Sequence, residues 1–260
     1  MKAVGLITGA SSGIGRALAH EHAKRQRDLV IVARREEELK ELKAELSAKY
    51  GVQVRVIAKD LTAPGACQAI YDELKQEGIA VDYLFNNAGY GGHGNFHERD
   101  LATDLGMIDL NVKALVELTH LFLKDMVVRG RGKILQTSST AGYMPGPLQA
   151  VYFATKAFVN SFTWAVAKEV ENTGVTLTTL NPGAVATEFA DTAELSDTDL
   201  FKSPKTPEYT AGRGYAAMEA GKLDEITEFG LKMTIKAGLA VMPLKMQLTT
   251  IYNMQKKQGA

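Results

Sequence analysis

Thr8-Gly9-Ala10-Ser11-Ser12-Gly13-Ile14-Gly15 stands between an apolar, strand-like run at 3–8 and an amphipathic stretch at 14–25. Glycines let the backbone turn tightly and come close to a pyrophosphate. The helix N-terminus behind them presents free N–H groups and a positive dipole end. A glycine-rich run alone is a weak signal, because a plain helix-entry turn satisfies it equally. Placed after a strand and before a helix, it reads as the first turn of a βαβ unit that holds a dinucleotide phosphate.

Outward from this loop, strand-like runs at 29–33, 52–58, 82–86, 133–138 and 175–181 alternate with helical patterns at 36–50, 66–76, 102–128 and 154–172. Leu29-Val30-Ile31-Val32-Ala33 is apolar throughout, as a strand covered on both faces must be. Strand and helix in regular succession imply right-handed crossovers, hence an α/β fold with a three-layer, doubly wound parallel sheet. With no linker and no internal repeat, residues 1–260 read as one domain. Residues 188–220 form a substrate-covering segment, rich in Asp, Thr, Ser and Pro up to 210 and helical near 207–220. Residues 229–260 are a C-terminal extension, apolar with interspersed lysines and divided by Pro243. It is expected to pack on the core or a second subunit, with a membrane surface as the lesser alternative.

Lysine plus arginine equals aspartate plus glutamate at 30 each, a balance that argues against nucleic-acid or membrane attraction. Cys67 is the only cysteine, so no intramolecular disulfide forms, and its neighbours predict a buried or inert thiol. The apolar stretch at 4–7 is too short for a signal peptide, and a cytoplasmic compartment is the expectation.

Beyond the second strand the chain reads Arg34-Arg35 where an NAD-specific site places an acid on the ribose 2′-hydroxyl. Guanidiniums suit a 2′-phosphate, which they bond through paired donors, so NADP(H) is favoured over NAD(H). The alternative is a solvated basic start to a helix, opposed by Glu36, Glu37 and Glu38.

A tyrosine four residues before a lysine shares a helix face with it, and the ammonium lowers a phenol pKa otherwise near 10. The chain contains this spacing three times: Tyr71/Lys75, Tyr152/Lys156 and Tyr252/Lys256. Only Tyr152 has a serine thirteen residues upstream, Ser139, just past a strand end; the equivalent positions for the others are Ala58 and Leu239. Tyr71, in the charged run at 72–77, and Tyr252, near the C-terminus, are assigned to the surface. Tyr90, Tyr143, Phe189 and Phe201 are candidate pocket walls, with core packing equally open. His93 and His97 lack a third ligand of fitting spacing, so no metal site is expected.

Taken together, these residues resemble the short-chain dehydrogenase/reductase family, in its one-domain branch of about this length. The likeness runs from Lys2 to Thr187 through Thr8–Gly15, Asp60-Leu61, Asn86-Asn87-Ala88-Gly89, Asn111, Ser139, Tyr152 with Lys156, and the run 182–187. It implies a Rossmann fold with a parallel sheet of about seven strands and a homodimer or homotetramer. It also implies roles. Tyr152 exchanges a proton with a carbonyl or alcohol oxygen, Ser139 holds that oxygen, and Lys156 binds the nicotinamide ribose and lowers the phenol pKa. Asn111 positions a water beside Lys156. The cofactor would rest on Gly9, Ser11, Ser12, Gly13 and Ile14, on Arg34 and Arg35, on Asp60 and Leu61, on Asn87, Ala88 and Gly89, and on Pro182, Val185 and Thr187.

Two departures stand out. Ser12 occupies the place where many NADP-preferring members carry a basic residue, so Arg34 bears more of the preference. The implied last strand falls near 223–229, where Asp224, Glu225 and Glu228 weaken it. The Arg-Arg ending and the stretch 144–147 are most similar to a bacterial-type subgroup preferring NADP. The reading is an oxidoreductase interconverting a small-molecule carbonyl and an alcohol. Its rivals are a dinucleotide-binding regulator or scaffold on the same fold and an epimerase or dehydratase. Substrate choice is expected to lie in 188–210.

Overall fold

The computed structural model describes residues 2–195, 198, 201, 203–239 and 242–256. Positions 196, 197, 199, 200 and 202 of the expected covering segment, and 240, 241 and 257–260 of the C-terminal extension, lie outside the described residues.

Seven parallel strands form one sheet: β1 (Val4–Thr8), β2 (Asp28–Ala33), β3 (Val54–Ala58), β4 (Val81–Asn86), β5 (Gly132–Thr137), β6 (Val175–Asn181) and β7 (Asp224–Ile226), in the order β3-β2-β1-β4-β5-β6-β7. The chain winds outward from β1 in one direction and from β4 in the other. The carboxyl ends of all strands therefore open on one edge, with a switch point between β1 and β4.

Alternation along each strand builds two cores. Ile7, Ile31, Phe85 and Leu135 face one side, under α1 (Gly13–Ala23), α2 (Glu36–Tyr50) and α8 (Pro207–Glu219). Their neighbours Leu6, Val30, Leu84 and Ile134 face the other side, under α3 (Ala66–Gln76) and α5 (Leu115–Arg129). Both faces are dry, which is why the strands read as continuous apolar runs. Burial of each such side chain contributes roughly 1.5–3 kcal/mol.

The six strands read from sequence are present, with ends displaced by at most two residues. β7 is shorter than 223–229, and its acids are paired: Asp224 accepts from Asn181 Nδ2 at 2.9 Å and Glu225 binds Arg213. The stretch 102–128 is not one regular helix. It divides into α4 (Leu101–Ile108), a π-helical turn (Asp109–Ala114) and α5, and the turn carries Asn111. α6 (Ala150–Glu169) begins four residues before the expected 154. A positive φ of 65° at Leu148 and Gln149 in a non-helical conformation precede it, and Val151, Tyr152 and Phe153 mask its start because β-branched and aromatic residues are indifferent helix formers. α7 (Glu188–Thr192), α9 (Phe229–Met233) and α10 (Leu244–Gln255) follow β6 and β7.

One surface assignment is corrected. Tyr71 is half-buried, its ring edge-on to Phe122 and its hydroxyl donating to Asp125 at 3.1 Å; Lys75 bonds the same carboxylate at 3.0 Å. Tyr252 is exposed on helix α10, in keeping with its surface assignment. Cys67 is fully buried, and burial pushes its thiol up to about 12, so it is inert. Among the described residues no helix is long and apolar enough to cross a membrane.

His22 gives the fold a pH dependence. It is fully buried between α1 and α8, with Nδ1 2.8 Å from the Tyr215 hydroxyl. Burial, aided by the nearby Arg27 and Arg25 charges, lowers it from 6.5 to about 3. The unfolded chain binds this proton near pH 6.5 and the folded chain does not, so stability falls as pH drops from 6.5 towards 3. The slope for this one site is about 1.4 kcal/mol per pH unit. Urea midpoints at pH 7 and pH 5 measure it; a slope unchanged in His22→Leu would assign it elsewhere.

Candidate active site

At the carboxyl edge of the sheet lies a cavity of about 870 Å³. Six residues of the motifs read from the sequence stand one or two positions past a strand end there: Gly9 after β1, Arg34 after β2, Asp60 after β3, Asn87 after β4, Ser139 after β5 and Pro182 after β6. Gly9, Ser11, Ser12, Gly13, Ile14, Arg34, Arg35, Asp60, Leu61, Asn87, Ala88, Gly89, Ser139, Tyr152, Lys156, Pro182, Val185 and Thr187 all line it. Asn111 does not; it stands directly behind.

The glycine loop is a close-packed cradle. Gly9 and Gly13 have φ of +66° and +54°, and a Cβ on Gly15 would lie 2.1 Å from the Gly9 carbonyl oxygen. Thr8 ties this turn to the next strand end, its hydroxyl accepting from the N–H groups of Asn87 and Ala88 at 2.9 and 3.0 Å. Thr187, which caps α7, lies over the loop, since a Cβ on Gly13 would meet its methyl at 2.9 Å. The loop backbone and the α1 N-terminus fit a pyrophosphate, and the residues beyond β2 and β3 fit an adenosine. Asp60 accepts from Thr62 N and Oγ1 at 2.9 and 2.7 Å, bonds that, with the Arg34 charge, hold its carboxyl below the ordinary range. Arg34 is exposed at the rim. Arg35 is engaged instead with Ser11 Oγ at 3.1 Å and Glu188 Oε2 at 2.9 Å, an ion pair the sequence did not suggest.

At the other end, Ser139, Tyr152 and Lys156 meet, and all three are buried. Ser139 Oγ accepts from Ala141 N at 3.1 Å and interacts with the Tyr152 phenol. Lys156 Nζ donates to the Thr137 carbonyl at 2.8 Å and lies 5.7 Å from the Tyr152 ring centroid. Phe189 packs on Tyr152 with centroids 5.3 Å apart. Burial pushes Tyr152 up to about 12, opposed only by Ser139, and burial lowers Lys156 from 10.5 to about 8. Loss of water disfavours the charged form of each group, which moves the phenol up and the ammonium down.

Asn111 Oδ1 accepts from Tyr90 N at 3.1 Å, while Nδ2 donates to Tyr90 O at 3.0 Å and Thr155 Oγ1 at 3.2 Å. The π-turn delivers this side chain to the loop after β4, fixing Gly89, whose Cβ would fall 2.8 Å from Oδ1.

Tyr90, Phe189 and Phe201 line the cavity as anticipated, but Tyr143 does not: its hydroxyl donates to Asp224 and its ring packs on Trp164. The wall also extends beyond 188–210. Ile235, Gln247, Ile251, Met254 and Gln255 line it, so the C-terminal extension walls the Ser139–Tyr152 end of the cavity. Ile251 packs in one cluster with Met107, Ala141, Tyr152 and Phe153. His93 Nε2 lies 2.8 Å from the Gln255 carbonyl, anchoring that helix, while His97 is exposed beside Glu98. Among the described residues no group of three His, Cys, Asp or Glu side chains could hold a metal.

Comparison with known proteins agrees with this geometry. A sulfoacetaldehyde reductase from Chromohalobacter salexigens is 40% identical over 191 residues, 73% of this chain and 75% of that protein. A very-long-chain 3-oxoacyl-CoA reductase from Anas platyrhynchos is 35% identical over 209 residues, covering 78% of this chain but only 64% of its own length. The solved short-chain dehydrogenase from Sphingobium yanoikuyae in complex with NADPH superposes with a TM-score of 0.82 at 28% identity, covering 93% of this chain and 96% of that one. The family model for short chain dehydrogenases matches residues 3–197. The chain belongs to the short-chain dehydrogenase family of oxidoreductases.

Proposed function

We propose that this protein is an NADPH-preferring carbonyl reductase, reversible as an alcohol dehydrogenase, in which Tyr152 is the general acid and base. The observation that carries the reading is the buried meeting of Ser139, Tyr152 and Lys156 in one cavity with the glycine loop. When bound, the nicotinamide supplies or accepts the hydride. The residues do the remaining work. Ser139 orients the substrate oxygen by hydrogen bonding, and Tyr152 donates its proton as negative charge grows there. A phenol held protonated by burial is poised as the acid of reduction. Lys156 is placed to bond a ribose hydroxyl and to favour the phenolate left behind. Asn111 acts through the loop and π-turn it joins, as a positioning residue.

Gly9, Ser11, Ser12, Gly13 and Ile14 would hold the pyrophosphate, Asp60 and Leu61 the adenine, Asn87, Ala88 and Gly89 the channel wall, and Pro182, Val185 and Thr187 the carboxamide. Arg34 and Arg35 would hold the 2′-phosphate, with Arg34 carrying most of the preference because Glu188 already occupies Arg35. The names of the two relatives point to a small sulfonated aldehyde and a 3-oxoacyl thioester. Phe153, Phe189, Ile235, Ile251 and Met254 support an uncharged, largely apolar ketone or aldehyde instead. Among the described residues, Lys156 is the one cation at that end.

Net NADPH consumption with a panel of ketones and aldehydes tests the activity, and its absence across the panel would leave only a nucleotide binder. For the cofactor, Arg34→Ala is expected to raise the NADPH Kd about 10- to 100-fold, the loss of one charge-assisted contact, and NADH less than about twofold. Equal weakening of both in fluorescence titrations would remove the 2′-phosphate assignment.

A further inference from the structure

Gln149 and Gln255 are 106 residues apart and meet at the substrate end of the cavity, where Gln149 Nε2 donates to Gln255 Oε1 at 2.6 Å. Both are almost wholly buried, at 3% and 0% exposure. Each leaves one polar atom without a partner: Gln149 Oε1 and Gln255 Nε2. Exchanging oxygen and nitrogen in both amides leaves the same complement, one acceptor and one donor. Buried amides left half-satisfied are unfavourable, and because both residues line the cavity, a ligand group that pairs with them once the side chains turn toward it removes that cost.

The pair is held in place from both sides. Gln149 precedes α6, and its carbonyl accepts from Phe153 N at 3.0 Å; Tyr152 follows three residues later, one turn along the same helix edge. The Gln255 carbonyl takes the contact from His93. The amide pair, Ser139 and Tyr152 therefore line the same cavity.

Resting on the carbonyl-reductase reading above, we infer that Gln149 and Gln255 form a specificity clamp. It selects carbonyl compounds bearing a second, uncharged group that both donates and accepts a hydrogen bond, a hydroxyl being the simplest. The group gives a hydrogen to the free carbonyl oxygen of one amide and takes one from the free N–H of the other. A site built around such a bond discriminates against the analogue lacking it, because the amides are then left unpaired.

The test uses α-, β- and γ-hydroxylated aryl alkyl ketones whose hydroxyl is tertiary, and so gives no hydride to NADP+, and their deoxy counterparts. Calorimetry measures their binding to the wild-type protein saturated with NADP+, where no reduction occurs, and turnover with NADPH is measured in parallel. At least one hydroxyketone is expected to bind about tenfold more tightly than its deoxy partner. That advantage falls to within about twofold in Gln149→Leu and in Gln255→Met, with NADP+ affinity confirming that both variants are folded. Equal binding of hydroxy and deoxy ketones, no measurable binding of either, or an advantage that survives both substitutions overturns the clamp. Discrimination in binding without any turnover would sink the reductase reading and leave the clamp standing. Turnover without discrimination would do the reverse.

Discussion

Replacement of Tyr152 by Phe is expected to lower kcat/KM about 10²- to 10⁴-fold, the range for removing a general acid, while NADPH affinity changes less than about twofold. The substitution deletes one oxygen and retains the ring, so the packing against Phe189 and Phe153 is preserved. Ser139 keeps its contact to Ala141 N, and Lys156 keeps its bond to the Thr137 carbonyl. The phenolic proton is what disappears. A structural role would instead move the melting temperature and the cofactor affinity together with the rate. Steady-state kinetics alongside NADPH titration separates the two, and a variant retaining more than a tenth of the rate would require a different proton donor.

Substitution of Lys156 by Met should act in opposite directions on rate and stability. Turnover is expected to fall by about 10²-fold or more, because the ribose contact and the charge that favours the phenolate are both lost. Stability should rise. A lysine lowered from 10.5 to about 8 holds its charge in the fold at a cost of about 3 kcal/mol near neutrality. Methionine fills similar volume without that charge. The Thr137 carbonyl loses its donor, but Thr137 lines the cavity, where water can replace it. A net gain of about 1–2 kcal/mol corresponds to a Tm roughly 2–8 °C higher for a chain of this size.

The sign can be checked by pH. Between about 8 and 10 the unfolded lysine binds its proton and the folded one does not, so wild-type stability gains a rising contribution across that window. Tyr152, raised above 10, opposes it only at higher pH. Thermal melts from pH 7 to 10 should show this slope in the wild type and its loss in Lys156→Met. A variant that melts lower at pH 7 would mean the lysine is structural.

Much of the site was legible because parallel α/β folds put strand ends, and the residues just past them, on one edge. The glycine loop, Arg34, Asp60, Asn87, Ser139 and Pro182 could be found by locating apolar runs and reading one or two residues further. Tyr152 was separable from Tyr71 and Tyr252 by Ser139 alone, a partner from a different element. Tyr71 was misjudged because its charged neighbours hid one apolar helix face that packs on Phe122.

What was hidden depends on contacts across long stretches of chain. The pairing of Gln149 with Gln255 and the seat of Ile251 beside Tyr152 have no local signature, since neither a lone glutamine nor an apolar helix says what it will meet. The Arg35–Glu188 ion pair likewise joins residues far apart in the sequence. The direction in which Tyr152 and Lys156 shift was hidden for another reason. Spacing predicts that an ammonium is near a phenol, but only the packed structure fixes how much water each has lost. The sequence alone therefore determined the succession of strands and helices, the glycine-rich turn after β1 and the set of chemical groups at the strand ends, because hydrophobic period and turn residues act locally. Tertiary structure decided which side chains wall the cavity and how far Tyr152 and Lys156 are withdrawn from water, because both are set by neighbours and solvent exclusion that exist only once the chain has closed.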